Sequence, residues 1–347
     1  MQPESAVLIG LAAAALAFAV IFTPVATSRR ALLVKGGTGL VGSAAIASVP
    51  SFDLSLLILL SLGVLHAAIE GPRVFAVRLR APVVAVATMA IALVFAHAQG
   101  SDAVQRFAAV GLVAGLAAAV GLLPYMHPLE PDEPMTSSPI PWIAFVGPVL
   151  GAVVVFRAQQ LLGPDAGGVF GGMLIGLGLL NIAWGSVSAW LTESEVAAWR
   201  YSFVADWGLV LCGFGVTLAD GGRAALLVLF SIVVGRLPLY IASRQALRDR
   251  SVAQRPINFL VAGALAGSAP FVGFVARILL LRAATQLYWP LALALAFGML
   301  LWLPGSLRLG RSLAVPRGRQ AIGVSLVLAL NVAAGLYPLP ILLAARL

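Results

Sequence analysis

Residues 267 to 277 read Gly-Ser-Ala-Pro-Phe-Val-Gly-Phe-Val-Ala-Arg and lie inside an apolar run that extends from 257 to 284. A proline removes a backbone donor and a glycine weakens a helix, so this segment predicts a break in a long apolar helix. A break at membrane depth frees backbone groups that protein or water must satisfy, and such breaks tend to line a cavity. The alternative is a packing kink without a function.

The composition around this segment is that of a membrane protein. The chain has 347 residues, of which 61% are hydrophobic and 10% are charged. Soluble globular domains carry about 25% charged residues, and disordered chains have low hydrophobicity. Both classes are therefore excluded. Cys212 is the single cysteine, which excludes a disulfide framework and a cysteine-rich metal site.

Apolar runs of the length that crosses a bilayer, roughly 20 residues, recur along the whole chain. We predict an all-α polytopic membrane protein with about twelve transmembrane helices. The predicted spans are 4–24, 31–48, 53–70, 81–98, 105–124, 139–161, 167–191, 201–219, 223–243, 257–284, 286–304 and 320–345.

The basic residues predict the orientation, because Lys and Arg collect in cytoplasmic loops. With alternating spans, the inside loops hold 15 of the 22 basic residues and the outside segments hold 3. Lys35, the only lysine, is counted with the inside loops, as are Arg73, Arg78, Arg80 and Arg200. We expect a protein of the inner (cytoplasmic) membrane with both termini outside. This topology explains the net charge of +9, and no nucleic acid partner is expected.

The segment at 267–277 resembles a signature, Gly-x-Pro-Pro-x-x-Gly-Phe-x-x-Lys, of a family of membrane subunits. These are the antiporter-like subunits of respiratory complex I (NADH-quinone oxidoreductase) and of the Mrp-type multi-subunit Na+/H+ antiporters. Gly267, Pro270 and Gly273 match the signature. Ala269 replaces its first proline and Arg277 replaces its lysine.

Other segments resemble further signatures of this family, in the same order along the chain. The segment 121–128, with Pro124 and His127, is similar to Lys-x-Gly-x-x-Pro-Phe-His-x-Trp-Leu-Pro. Arg157 is similar to the arginine that closes the following family helix, and Arg236 opens a segment similar to His-Ala-x-x-Lys-Ala-x-Leu-Phe. The resemblance extends over residues 105–345.

The resemblance implies one transmembrane domain, 1–347, with an antiporter-like region at 105–345 and shortened N-terminal helices at 1–104. It implies a pair of inverted helical repeats with broken helices at their centres. The implied partners are the other membrane subunits of a hetero-oligomeric complex, lipids, and protons or cations. The chain is expected to bind no cofactor or metal and to be non-catalytic itself, even within an NADH-quinone oxidoreductase-like complex.

The family moves protons along lysines, and this chain departs from that pattern. Ala119 and Val196 occupy two of the lysine positions, and no ionisable side chain occurs from 142 to 156. Arg236 and Arg277 stay basic, but a guanidinium does not release its proton at accessible pH. We expect a structural or charge-coupling subunit in which proton translocation along a lysine relay is impaired or lost.

Polar residues inside the membrane are the remaining functional candidates, because their burial is costly without a role. Asp206 is the clearest intramembrane carboxylate. It either pairs with Arg236 or Arg157 on a polar axis, or faces the inner interface near Arg200. Both readings stay open from the sequence.

Two further candidates are weaker. Glu70 ends the third predicted span. It either occupies the region of the family's intramembrane glutamate or forms an interfacial ion pair with the loop that carries Arg73. His127 is a candidate only through its place near the motif histidine. No catalytic set and no metal-ligand spacing is recognised.

A second hypothesis comes from another functional class. A stand-alone secondary transporter would use the broken helix around Pro270 as its substrate site, with Arg277 binding an anion. This hypothesis predicts activity without partner subunits, whereas the subunit hypothesis predicts an obligatory complex.

Overall fold

The computed structural model describes residues 3–22, 26–98, 102–126, 146–246, 256–313 and 318–345. In these ranges the regular structure is helical, and a π-helical turn, Ser231–Arg236, joins α9 to α10. The helices are α1 (Pro3–Phe22), α2 (Ala26–Ser48), α3 (Phe52–Glu70), α4 (Pro72–His97), α5 (Asp102–Val120), α6 (Gly147–Leu161), α7 (Pro164–Leu191), α8 (Glu195–Gly215), α9 (Ala219–Phe230), α10 (Leu237–Ala246), α11 (Pro256–Ala266), α12 (Val272–Leu287), α13 (Trp289–Ser312), α14 (Arg319–Leu336) and α15 (Leu339–Ala344).

The predicted all-α polytopic fold is confirmed, although the predicted number of twelve spans is not. In the described ranges, seven helical segments are long and apolar enough to cross a membrane. Shorter apolar helices lie at Ser5–Ile21, Leu32–Ser48 and Pro256–Ala266. The last of these is short because it ends at the break that the sequence predicts.

Two helices end in breaks of the same design. In each, a glycine with a positive φ follows the last helical residue: Gly121 at 85° after α5 and Gly267 at 62° after α11. In each, a proline stands three residues later, at Pro124 and Pro270. Glycine is favoured here because side chains with a Cβ rarely adopt this conformation. The same local sequence rule therefore ends both helices.

The hydrogen bonds of the two breaks also correspond. The residue after each glycine donates to the carbonyl five residues back, Leu122 N to Ala117 O at 2.9 Å and Ser268 N to Gly263 O at 3.0 Å. The residue after each proline donates to the carbonyl three residues back. Both segments are thus hydrogen-bonded turns, and neither is a simple kink.

Helix α8 lies at the centre of the bundle and is held there by close approach to α7. Every residue from Ser202 to Gly215 is buried. A Cβ on Gly208 would lie 2.5 Å from the carbonyl oxygen of Gly178, so the two helix backbones nearly touch. Small residues permit this packing in membranes. The arrangement fixes the position of Asp206, which α8 carries.

Several basic residues that we expected in cytoplasmic loops lie inside helices. Arg73, Arg78 and Arg80 belong to α4, Lys35 to α2 and Arg200 to α8. The loop prediction was wrong for them because hydropathy treats a charged turn as the end of a span. Helix α4, for example, begins at Pro72, where a proline suits the first helical position, and continues directly into the apolar run.

Candidate functional site

A buried ion pair joins α8 to the middle of the next span. Arg236 Nε donates to Asp206 Oδ2 at 2.6 Å, and the two side chains are only 3% and 7% exposed. The structure therefore decides between the two partners proposed for Asp206 from the sequence. Its partner is Arg236, and the pair lies inside the bundle.

The π-helical turn sets the direction of Arg236. Leu237 N donates to Ile232 O, which is the five-residue spacing of a π-helix. Pro238 follows and has no backbone donor, so an ordinary α-helical ladder cannot continue through this point. Such single-turn widenings occur often at functional sites. Here the widening places the last residue of the turn, Arg236, against Asp206.

The break after α11 supplies an acceptor to the same cluster. The carbonyl oxygen of Leu265, in the last turn of α11, accepts from Arg236 Nη2 at 3.2 Å and from Trp302 Nε1 at 2.7 Å. The carbonyls at a helix end lack intrahelical partners and need other donors. The Arg236 guanidinium also lies 5.1 Å from the centroid of the Trp302 ring. The broken helix is thereby tied to α8, α13 and the π turn.

Arg277, on α12, completes the cluster from the other side of the break. Its guanidinium lies against Gly267, where a Cβ would be 2.8 Å from Cζ. Together with Asp206 and Arg236 it lines a small, partly open cavity. The sequence prediction that the break lines a cavity agrees with this geometry.

A second cavity lies beside the first and shares part of its wall. Asp206 and Arg277 line both spaces, and the wall of the second also includes Ser186 and Trp302. Ser186 is fully buried, and its hydroxyl has no hydrogen-bond partner within the described ranges. Sequence reasoning missed Ser186, because a serine in an apolar helix carries no distinguishing signal.

Glu70 is the centre of another buried cluster. Lys35 Nζ donates to Glu70 Oε1 at 2.7 Å, and Arg78 Nε donates to Oε2 at 2.6 Å. All three side chains are less than 10% exposed. We considered an interfacial pair with the loop carrying Arg73, but the structure instead places this carboxylate between two cations from α2 and α4.

Lys35 and Arg78 are functional candidates that the sequence reasoning overlooked. Lys35 could have been found, because it is the only lysine in the chain and stands in an otherwise apolar run. Arg78 offered no such signal. It lies eight residues from Glu70, across the α3–α4 turn, and only packing brings the two together.

Arg157 contacts the connection between α2 and α3, whereas the sequence offered it as a partner of Asp206. It lies on α6 and donates to the carbonyls of Ile46, Val49 and Ser51 and to the hydroxyl of Ser55. A cation at the end of α2 satisfies carbonyls that have no helical partner. Arg157 thus holds the α2–α3 connection.

The first break has its own polar anchor. Asn181, a fully buried residue of α7, accepts a hydrogen bond from Leu123 N at 3.2 Å, beside Pro124. Its amide nitrogen donates to Leu177 O. His127, the remaining candidate from the sequence, lies outside the described residues. In the part of the chain that is described, no group of three or more His, Cys, Asp or Glu residues could hold a metal ion.

Comparisons with known proteins give matches in structure only. No family model matches the chain, and no curated protein matches it in sequence. A chain of the Mrp complex from Dietzia sp. DQ12-45-1b is similar with a TM-score of 0.77 at 16% identity, over 99% of this chain and 44% of that chain.

Two respiratory complexes contain similar chains. A chain of the membrane-bound sulfane sulfur reductase, an archaeal respiratory membrane complex, gives a TM-score of 0.76 at 19% identity, over 97% of this chain and 65% of that chain. A chain of respiratory complex I from Thermus thermophilus with bound NADH gives 0.62 at 17% identity, over 99% and 93%. The fold expected from the sequence resemblance is confirmed. The chain spans less than two thirds of the length of the first two structures.

Proposed function

We propose that this chain is a membrane subunit of a complex I-related or multi-subunit cation/proton antiporter assembly. Its fold is shared with chains of an Mrp complex and of two respiratory membrane complexes. The observation that carries the proposal is the buried ion pair of Asp206 and Arg236, with Arg277 on the wall of the same cavity, where the second broken helix meets α8. Buried charges in a membrane protein are expensive and mark a function by default.

The subunit couples charges rather than passing protons along lysines. Arg236 and Arg277 are fixed positive charges, because a guanidinium keeps its proton. Lys35 is the only side chain amine in the sequence, and it is bound to Glu70. One amine–carboxylate pair can respond to a neighbouring charge. It does not form a continuous lysine relay, so translocation by that route is impaired or lost.

The arrangement in the membrane is part of the proposal. The chain lies in the inner membrane with both termini outside, and its antiporter-like region covers 105–345 behind shortened N-terminal helices at 1–104. The bias of basic residues toward the segments predicted inside supports the orientation, although Lys35, Arg78 and Arg200 are buried helix residues and not loop residues. Its partners are other membrane subunits and lipids, with protons or cations as the transported species of the assembly.

Purification tests whether the chain is a subunit. Solubilised from its native membrane in mild detergent, the tagged chain should recover other membrane proteins in fixed stoichiometry, and these should persist on size-exclusion chromatography. Recovery as a functional monomer would contradict the proposal. It would favour the stand-alone transporter, whose support is the partly open cavity beside the break at Gly267.

Vesicles that hold the intact assembly test the charge-coupling role. Asp206→Asn removes the carboxylate of the central pair, and Arg277→Ala removes a cation from the same cavity. Both should lower the rate of proton uptake severalfold, because each changes the charge that neighbouring subunits sense. Arg223→Gln is the control, since Arg223 pairs with Asp220 at the surface and is 40% exposed. Unchanged uptake in both cluster variants would show that this subunit takes no part in coupling.

A further inference from the structure

We propose that the two cavities meeting at Asp206 and Arg277 form one binding site for a small monovalent anion such as chloride. Two guanidinium groups and one carboxylate line these cavities, and the other described residues of their walls are uncharged. The cluster therefore carries one excess positive charge. An uncompensated charge inside a membrane protein is unfavourable, and a bound anion neutralises it.

The hydrogen-bond donors of the cluster also exceed its acceptors. Arg236 is 4% exposed, and its Nη1 is buried without a partner in the described part of the chain. Ser186 Oγ, on the wall of the second cavity, is also buried without a hydrogen-bond partner in the described ranges. An unsatisfied buried donor costs about 1–3 kcal/mol, more when it is charged. An anion between these groups accepts from Arg236 Nη1, which otherwise lacks a partner in the described ranges, and lies beside the Arg277 guanidinium on the same wall.

The surroundings select the class of anion. The walls include Leu209, Val228 and Ala264, which offer no hydrogen bonds through their side chains. Such a site does not replace the hydration shell of a multiply charged ion, and one excess positive charge matches one negative charge. Asp206 lies on the same wall and repels an anion, so the bound ion sits on the arginine side. This inference does not depend on the assembly proposed above.

Bromide is the probe for a direct test. The purified full chain is kept in sodium gluconate, and bromide replaces gluconate at constant ionic strength while the thermal midpoint is followed by tryptophan fluorescence. The midpoint should rise and saturate with bromide. In crystals grown with bromide, an anomalous peak should lie between Arg236 and Arg277. Equal midpoints in the two salts, with no peak in the cluster, would mean that water fills the cavities and would overturn the proposal.

Variants assign the effect to this site. Arg277→Gln should abolish the bromide-dependent rise, whereas Arg223→Gln should retain it. Ser186→Ala is the milder change, and it should raise the half-saturating bromide concentration about tenfold, the loss of one good hydrogen bond. If Arg277→Gln does not fold, Ser186→Ala and the anomalous peak still decide the question. A rise of unchanged size and half-saturation in both cluster variants would place the anion elsewhere and contradict the proposal.

Discussion

Glu70 illustrates how much one residue holds together in this fold. Each of its two carboxylate oxygens accepts a hydrogen bond from a different cationic side chain, so α2, α3 and α4 meet at a single carboxylate. Lys35 and Arg78 are both buried and have long side chains that need this partner. Lys35 lies 35 residues before Glu70 and Arg78 lies eight residues after it, so packing of three helices brings the cluster together.

Removal of the Glu70 charge should be strongly destabilising. Glu70→Gln leaves two buried cations with one fewer negative charge, and breaking a buried ion pair costs about 3–5 kcal/mol. We expect a large fall in the thermal midpoint in detergent, measured by tryptophan fluorescence. Asp53→Asn is the matched control, because Asp53 is an exposed acid of the same helix. Equal midpoints for the two variants would show that the cluster contributes little to stability.

At the scale of the helices, the α7–α8 contact depends on particular glycines of α7, which differ sharply in the space around them. A Cβ on Gly178 would lie 2.7 Å from the carbonyl oxygen of Gly208, whereas a Cβ on Gly176 would meet nothing within 4 Å. The backbone of α8 cannot yield without moving Asp206. The two glycines therefore form a matched pair for a test of packing.

Alanine at these two positions should have opposite effects. Gly178→Ala should separate α7 from α8 and lower the thermal midpoint by several degrees. Gly176→Ala should leave the midpoint unchanged or raise it, because alanine is better than glycine in a helix by about 1 kcal/mol. Midpoints that move together would show that α7 and α8 are not in the close contact described.

Alanine substitution in the second break gives a similar test, with a different glycine as the control. Gly267 and Gly318 both have a positive φ, 62° and 55°, which residues with a Cβ rarely adopt, so alanine is strained at both positions. Only at Gly267 does the new Cβ press on the Arg277 guanidinium, while at Gly318 it meets nothing within 4 Å. Gly267→Ala should lower the midpoint further than Gly318→Ala and reduce proton uptake by the assembly. Equal losses would show that backbone strain alone matters.

These breaks mark the limit of what the sequence predicts. Gly267 and Pro270 act on their own backbone, so the end of the helix could be predicted locally. The carbonyl that the break exposes, Leu265 O, is used by Arg236 and Trp302, which lie 29 and 37 residues away. The same holds for Lys35 and Glu70, and for Asn181 at the first break. Pairings between helices depend on packing that no local pattern specifies.

At the scale of the whole molecule, the spans divide into a core and a periphery. Within an 18-residue apolar stretch of the span Ala219–Ser243, 89% is buried. The corresponding share is 33% to 56% in the other six long apolar spans of the described chain. The peripheral helices expose apolar surface such as Leu293, Phe297 and Leu300 on α13. Exposed apolar surface of this kind is typical of helices that face a bilayer.

The π turn at Ser231–Arg236 gives the two halves of this central span different neighbouring helices. An extra residue in one turn of a helix shifts the phase of all later side chains by about 100°. Helix α9 accordingly packs on α8 and α12, while α10, beyond the turn, packs on α1 and α14. One span therefore faces two different neighbourhoods, and the phase change occurs at the arginine that binds Asp206. Deleting a single residue from this turn would rotate one half of the span against the other and separate the ion pair without altering any charge.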